Sequence, residues 1–159
     1  MPFDYFLRID GIAGESPDAK HKGEISVQSF SWGEEQGASL VGGGGGASKV
    51  KVAPLNVTAR TSKASPPLLV ACAAGQHIKS ATLSVRKAGG KATLDFLTYA
   101  LSDVVVVAYE VGGDTGDGPA DQLKLAFGQI VVEYREQNPD GSPGAVTRAG
   151  WHVKANRKL

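Results

Sequence analysis

The stretch "ATLDFLTYALSDVVVVAYEV", residues 92–111, decides the fold class. It is dense in β-branched and aromatic side chains, contains neither glycine nor proline, and is long enough for one bent strand or two. Its valines, Val104 to Val107, fall on both faces of a strand. That pattern calls for burial on both sides, inside the fold or against a neighbouring subunit.

Most of the flanking chain has the same character. "FDYFLRI" sets Phe3, Tyr5, Leu7 and Ile9 on one face, and "SATLSVRK" sets Ala81, Leu83 and Val85 against Thr82, Ser84 and Arg86. "KVKVAPLNVTAR" alternates through Val50, Val52 and Leu55, with Pro54 marking an edge or a bulge. "QLKLAFGQIVVEYREQ" places Leu123, Leu125 and Phe127 on one side and Lys124 on the other, and "GAVTRAGWHVKANR" supplies a last strand. In "EISVQSFSWG", Phe30 and Trp32 share a face and Ser29 and Ser31 share the opposite one; the facing of Gln28 is open. One helix is expected over "SPPLLVACAAG", with Ser65 as cap, Pro66 in the first turn and Gly75 ending it in the left-handed conformation. Short and apolar, it should pack on a sheet. "VGGDTGDGPAD", "NPDGSPG" and the Gly89-Gly90 pair are turns. These readings predict a mainly β protein, an antiparallel β barrel or sandwich with one short α-helix, in a single domain over residues 1–159.

The 159 residues carry 17 basic and 16 acidic side chains. This balance argues against a general nucleic-acid binder and gives no pull toward a membrane surface. No run approaches the roughly 20 apolar residues that span a bilayer, so no membrane insertion is expected. Asp4, Arg8 and Asp10 interrupt the N-terminal apolar pattern, which predicts a chain made in the cytoplasm without a cleaved signal. Cys72, the only cysteine, permits no intrachain disulfide and reads as a buried structural thiol.

Tests for chemistry fail one by one. "SLVGGGGGASKVKV", residues 39–52, invites comparison with a phosphate loop, G-x-x-x-x-G-K-[ST]. Counted from Gly42, Ala47 stands at the second glycine and Ser48 at the lysine, and the pattern that follows is a strand, not the helix whose N-terminus would hold phosphate. From Asp114, the calcium-loop positions fall on Gly116 and Gly118. His21, His77 and His152 have no metal spacing, and Cys72 inside an apolar helix is a poor nucleophile. Glu34 and Glu35 are adjacent and point opposite ways in a strand. No catalytic residues, metal or cofactor are assigned, and the expectation is a non-enzyme.

Several motifs, taken together and in order, resemble one family. They are "IDGIAGES" at Ile9 to Ser16, "HKGEISV" at His21 to Val27 and "FSWG" at Phe30 to Gly33, then the glycine run before "ASKV", "ACAAGQH" at Ala71 to His77, "RKAGG" at Arg86 to Gly90 and "GW" at Gly150-Trp151. The whole chain thus resembles the Hcp (haemolysin-coregulated protein) family, the tail-tube proteins of bacterial type VI secretion. The resemblance implies the fold, a two-sheet antiparallel β-barrel with one short α-helix packed on its side, and an assembly in which such subunits close sixfold rings stacked into a hollow tube. It implies as partners other copies of the chain, a spike of VgrG type, a contractile sheath with its baseplate, and effector proteins carried in the lumen. It also implies release to the exterior by sheath contraction. The chain ends soon after the last strand, so a variant extended by a C-terminal toxin domain is not expected.

On this reading residues 37–49 form a contact finger of the ring, with Leu40, Val41, Gly42, Gly43, Gly44, Gly45, Gly46, Ala47 and Lys49 as its contact residues. Ser29 and Ser31 are the candidates for the lumen wall that cargo touches. The alternative is a monomeric β-barrel module binding a small ligand or a sugar.

Overall fold

A computed structural model describes residues 3–38, 48–87 and 94–159. Its elements are β1 (Phe3–Ile9), β2 (Ile25–Ser31), β3 (Glu34–Glu35), β4 (Lys51–Val52), β5 (Leu55–Arg60), α1 (Ser65–Ala74), β6 (Ile78–Lys87), β7 (Asp95–Asp114), β8 (Gly118–Gln137), β9 (Pro143–His152) and β10 (Arg157–Lys158). The strands β8-β5-β2-β1-β6-β7 follow one another by antiparallel pairing, and β7 pairs again with β8, closing a six-stranded barrel. β9 and β10 extend beyond β8, whose first half pairs with β5 and second half with β9.

From Asp95 onward the opening stretch forms one strand, β7, and it is bent. In β7 the inward side chains change phase between Leu101 and Val104, and in β8 between Leu125 and Ile130, at the same level of the ladder. The bend centres on Asp103, held at φ 56°, opposite Gly128, where a Cβ would lie 3.0 Å from the Asp103 carboxylate. The valines divide accordingly: Val104 and Val106 are fully buried, Val105 is half-buried, and Val107 bulges out 51 % exposed.

Leu7, Leu55, Val57, Leu83, Leu101, Val104, Val106, Leu123 and Leu125 fill the barrel. An aromatic group at its side joins them: Tyr5 meets Phe30 edge-on at 5.1 Å, and Trp32 lies against Tyr99 and Phe127. The register of β2 explains why Phe30 and Trp32 point inward. Val27 faces Ala59 but Ser29 faces Thr58, so Gln28 is the extra residue of a bulge that reverses the alternation. Gln28 is exposed.

Helix α1 packs on β7 through Leu68 and Ala71, and Gly75 ends it at φ 59°. Two expectations are corrected here. Ala64, not Ser65, is the N-cap; the Ser65 hydroxyl accepts the Ser62 N–H and donates to Asp121 instead. Cys72 is half-buried against the core rather than fully enclosed. Asp121, 2 % exposed, also accepts from the hydroxyls of Thr61 at 2.9 Å and Tyr109 at 3.3 Å, tying helix, β7 and β8 together. Burial first, then the nearby Asp121 charge, raises the Tyr109 pKa. Asp121→Ala is expected to cost about 2 kcal/mol, read from the urea midpoint, because it strips the buried Ser65 hydroxyl and the half-buried Tyr109 hydroxyl of their acceptor and removes the partner of Thr61.

The β1–β2 connection, residues 10–24, folds back over the outer face of β1 and β6. Gly14 donates its N–H to Gly23, Ser16 to Glu24 and Gly23 to Ser16. Under this flap lie Phe6 and the guanidinium of Arg86, which is held by both carboxylate oxygens of Asp18 and by Asp4 at 3.4 Å. The Arg86 hydrogen bonds draw the Asp18 pKa below the usual carboxylate range, against the opposing effect of burial.

Candidate functional site

Because the core takes Leu55, Val57, Ala59, Leu123 and Leu125, the residues between them must face outward. Pairing then lays them in two rows across four strands. One row runs Ser31, Asn56, Lys124, Ala108; the next runs Ser29, Thr58, Gln122, Glu110. Together they line a concave groove of about 350 Å³ on the barrel's outer face. Asn56 donates its Nδ2 hydrogen to the Ser31 hydroxyl at 3.3 Å. Ser29 and Ser31, singled out from the sequence, are thus both exposed and adjacent in one groove.

The groove's chemistry is that of a wall. It offers short hydroxyls and amides with one cation, Lys124, and one carboxylate, Glu110. Asn56, Thr58, Gln122 and Lys124 were legible as outward residues in "NVT" and "QLKL", but only the pairing of β5 with β8 assembles them beside Ser29 and Ser31. No cluster of three or more metal-ligating side chains occurs among the described residues.

The second feature is the neck of the glycine loop. β3 and β4 pair Glu34 with Val52 and Glu35 with Lys51, and Ser48 donates to the Gln36 amide oxygen at 2.8 Å. The neck is fixed to the barrel by Trp32, whose indole N–H reaches the Ala53 carbonyl at 2.7 Å, while Ala53 donates back to Gly33. Leu40, Val41, Gly42, Gly43, Gly44, Gly45, Gly46 and Ala47 lie outside the described residues. Lys49 stands in the neck just before the returning strand, which begins at Lys51 and not at Lys49.

A closed barrel extended along one strand pair, with a polar groove on its wall and an anchored hairpin neck, defines a mainly β, single-barrel class of protein. The comparisons give the class its family. The family model described as "Type VI secretion system effector, Hcp" matches residues 6–134. The protein hcp1 of Pseudomonas aeruginosa is 39 % identical over 159 residues, covering 98 % of each chain. Among solved structures, Hcp1 from Salmonella typhimurium superposes with a TM-score of 0.82 at 35 % identity, covering all of both chains. A structure described as a type six secretion system protein reaches a TM-score of 0.92 at 30 % identity, covering 99 % of this chain and 100 % of that one. The chain belongs to the Hcp family of type VI secretion proteins. Its mainly β barrel with one short helix is the fold of those structures. The family is one of secreted proteins and not an enzyme family, and no helix among the described residues is long and apolar enough to cross a membrane.

Proposed function

We propose that this chain is a non-catalytic subunit of the type VI inner tube. Copies close head-to-tail into sixfold rings, the rings stack, and the groove of Ser29 and Ser31 faces the bore. The observation that carries this reading is the double row of mostly polar side chains laid across β2, β5, β8 and β7 on a curved outer face. A bore that passes varied cargo needs a wall that hydrates readily and grips weakly. A heterologous contact joins two different patches, and two separate exposed apolar regions are candidates for them. One is Leu69 and Val70 on α1, 54 % and 57 % exposed; the other is Phe3 with Phe96 and Tyr134, whose rings stand 5.9 and 6.2 Å apart in succession. The finger, residues 37–49, reaches a neighbouring subunit or the next ring, with Lys49 at its base. The subunit meets spike, sheath and baseplate in the assembled machine, and the tube leaves the cell by sheath contraction.

Native mass measurement tests the ring: six chain masses are expected, and a monomer would return the chain to the ligand-binding alternative. Ser31→Trp is expected to leave the ring mass unchanged and to reduce co-purifying effector at least tenfold, since an indole fills much of the groove. Unchanged cargo with an intact ring would place the effector contact elsewhere. Removing residues 40–47 should leave rings that no longer stack under the electron microscope; normal stacking would end the finger reading.

A further inference from the structure

His21 sits beneath the 10–24 flap with 6 % of its surface exposed. Its Nδ1 lies 2.9 Å from Glu24 Oε2 and its Nε2 lies 3.0 Å from the Asp95 carboxylate. Its ring stacks on Phe6 at 4.3 Å and 10° between planes, and the same Phe6 ring takes the Arg86 guanidinium at 4.8 Å. A neutral imidazole has one N–H donor and one lone-pair acceptor. Carboxylates at both nitrogens therefore leave a neutral ring with one nitrogen facing another acceptor. Only the imidazolium donates to both.

The surrounding charges point the same way. From the flap come Asp18 and Glu24, with Lys20 and Lys22 flanking the histidine in sequence; from β1 comes Asp4; from β6 come Arg86 and, at its exposed end, Lys87, which donates to Gln137; from β7 comes Asp95. Asp18 and Asp4 are taken by Arg86. Glu24 and Asp95 are left to His21. The Asp95 partner is distant in sequence and opens β7, while Glu24 closes the flap, so the ring bolts one connection of the barrel to another.

We propose that His21 is a proton-operated bolt: as the imidazolium it clamps the 10–24 flap to the start of β7, and its deprotonation releases the flap while the barrel beneath stays closed. Burial opposes the charge, but the Asp95 and Glu24 hydrogen bonds outweigh it and raise the His21 pKa above its ordinary 6.5. The sign follows from a raised folded-state value. The clamp's contribution is complete below about pH 6.5 and is lost as pH rises through the folded pKa. Release is thus an alkaline event.

The test is amide hydrogen exchange on the assembled full-length protein, corrected for intrinsic base catalysis. Gly14, Ser16 and Gly23, whose N–H groups close the flap, should lose protection by about tenfold or more between pH 6 and pH 9.5. Leu7 and Leu83 in the barrel should keep theirs. Imidazole nitrogen shifts should report His21 doubly protonated at pH 7. In His21→Gln the flap should exchange fast at every pH; if that variant fails to fold, Asp95→Asn should move the loss of protection to lower pH. A singly protonated ring at pH 7, or flap protection indifferent to pH, would overturn the proposal.

Discussion

Gly14→Val is expected to destabilise the protein by about 3 kcal/mol, read from the shift in denaturant midpoint at constant slope. A Cβ at position 14 would lie 2.5 Å from the Glu24 carbonyl oxygen, 2.7 Å from its carbon and 2.8 Å from Ile25 Cα. All three are backbone atoms, two of Glu24 at the far end of the flap and one of Ile25 at the start of β2, so no side-chain rotation relieves them. The two valine methyls add to the crowding. Gly11, in the same connection, is the control. It sits at φ 81° with nothing within 4 Å of its would-be Cβ, so Gly11→Ala meets only the left-handed strain of about 1 kcal/mol. If the two glycines respond alike, close approach is not what fixes glycine at position 14.

Leu7→Ala is expected to cost still more, about 4 kcal/mol in the same measurement. Leu7 has no exposed surface and sits in the middle of β1, paired with Ile25 on one side and Leu83 on the other. A hole there is walled by two ladders that cannot slide inward without breaking the register of a closed barrel, so the site collapses little. Val27→Ala, on a half-buried position beside the β2 bulge, should cost less than half as much. A cost for Leu7→Ala near 1 kcal/mol would mean that the barrel interior relaxes freely.

Alternation made the strands legible, because β5 buries one regular face and the inner apolar rows of β1 and β6 keep the same period even where the flap also covers their outer face. It also found Ser29 and Ser31, but only by working from Phe30 and Trp32. Extended from Ile25 and Val27, the same rule turns both serines inward, and the extra residue Gln28 decides between the two. A bulge leaves no trace in composition. Asp103 hid the bend of β7 in the same way: an aspartate in a row of valines says polar, not φ 56°. The groove needed knowledge of which strands are neighbours, and β5 pairs with β8 across some sixty residues of chain. Ser65 looked like a cap because its position and neighbours suit one, yet its hydroxyl is drawn to a buried carboxylate 56 residues away. His21 was visible as one of three scattered histidines; its partner Asp95 lies 74 residues off.

The pairing of β7 with both β6 and β8 has a consequence for the order of events during synthesis. β5, β2, β1 and β6 can zip together as soon as residue 87 has emerged, giving a curved half-shell with raw hydrogen-bonding edges on β5 and β6. Among the described residues, no earlier strand pairs with either edge. The β7–β8 hairpin forms around its own turn, where Asp114 accepts the N–H groups of Gly116 and Asp117, and then docks on both edges at once. Local hairpins form in microseconds, whereas a seam between distant strands waits on chain closure. A ribosome stalled before residue 118 therefore displays a sticky trough. The clasp that seals it is the stretch that began as a run of valines.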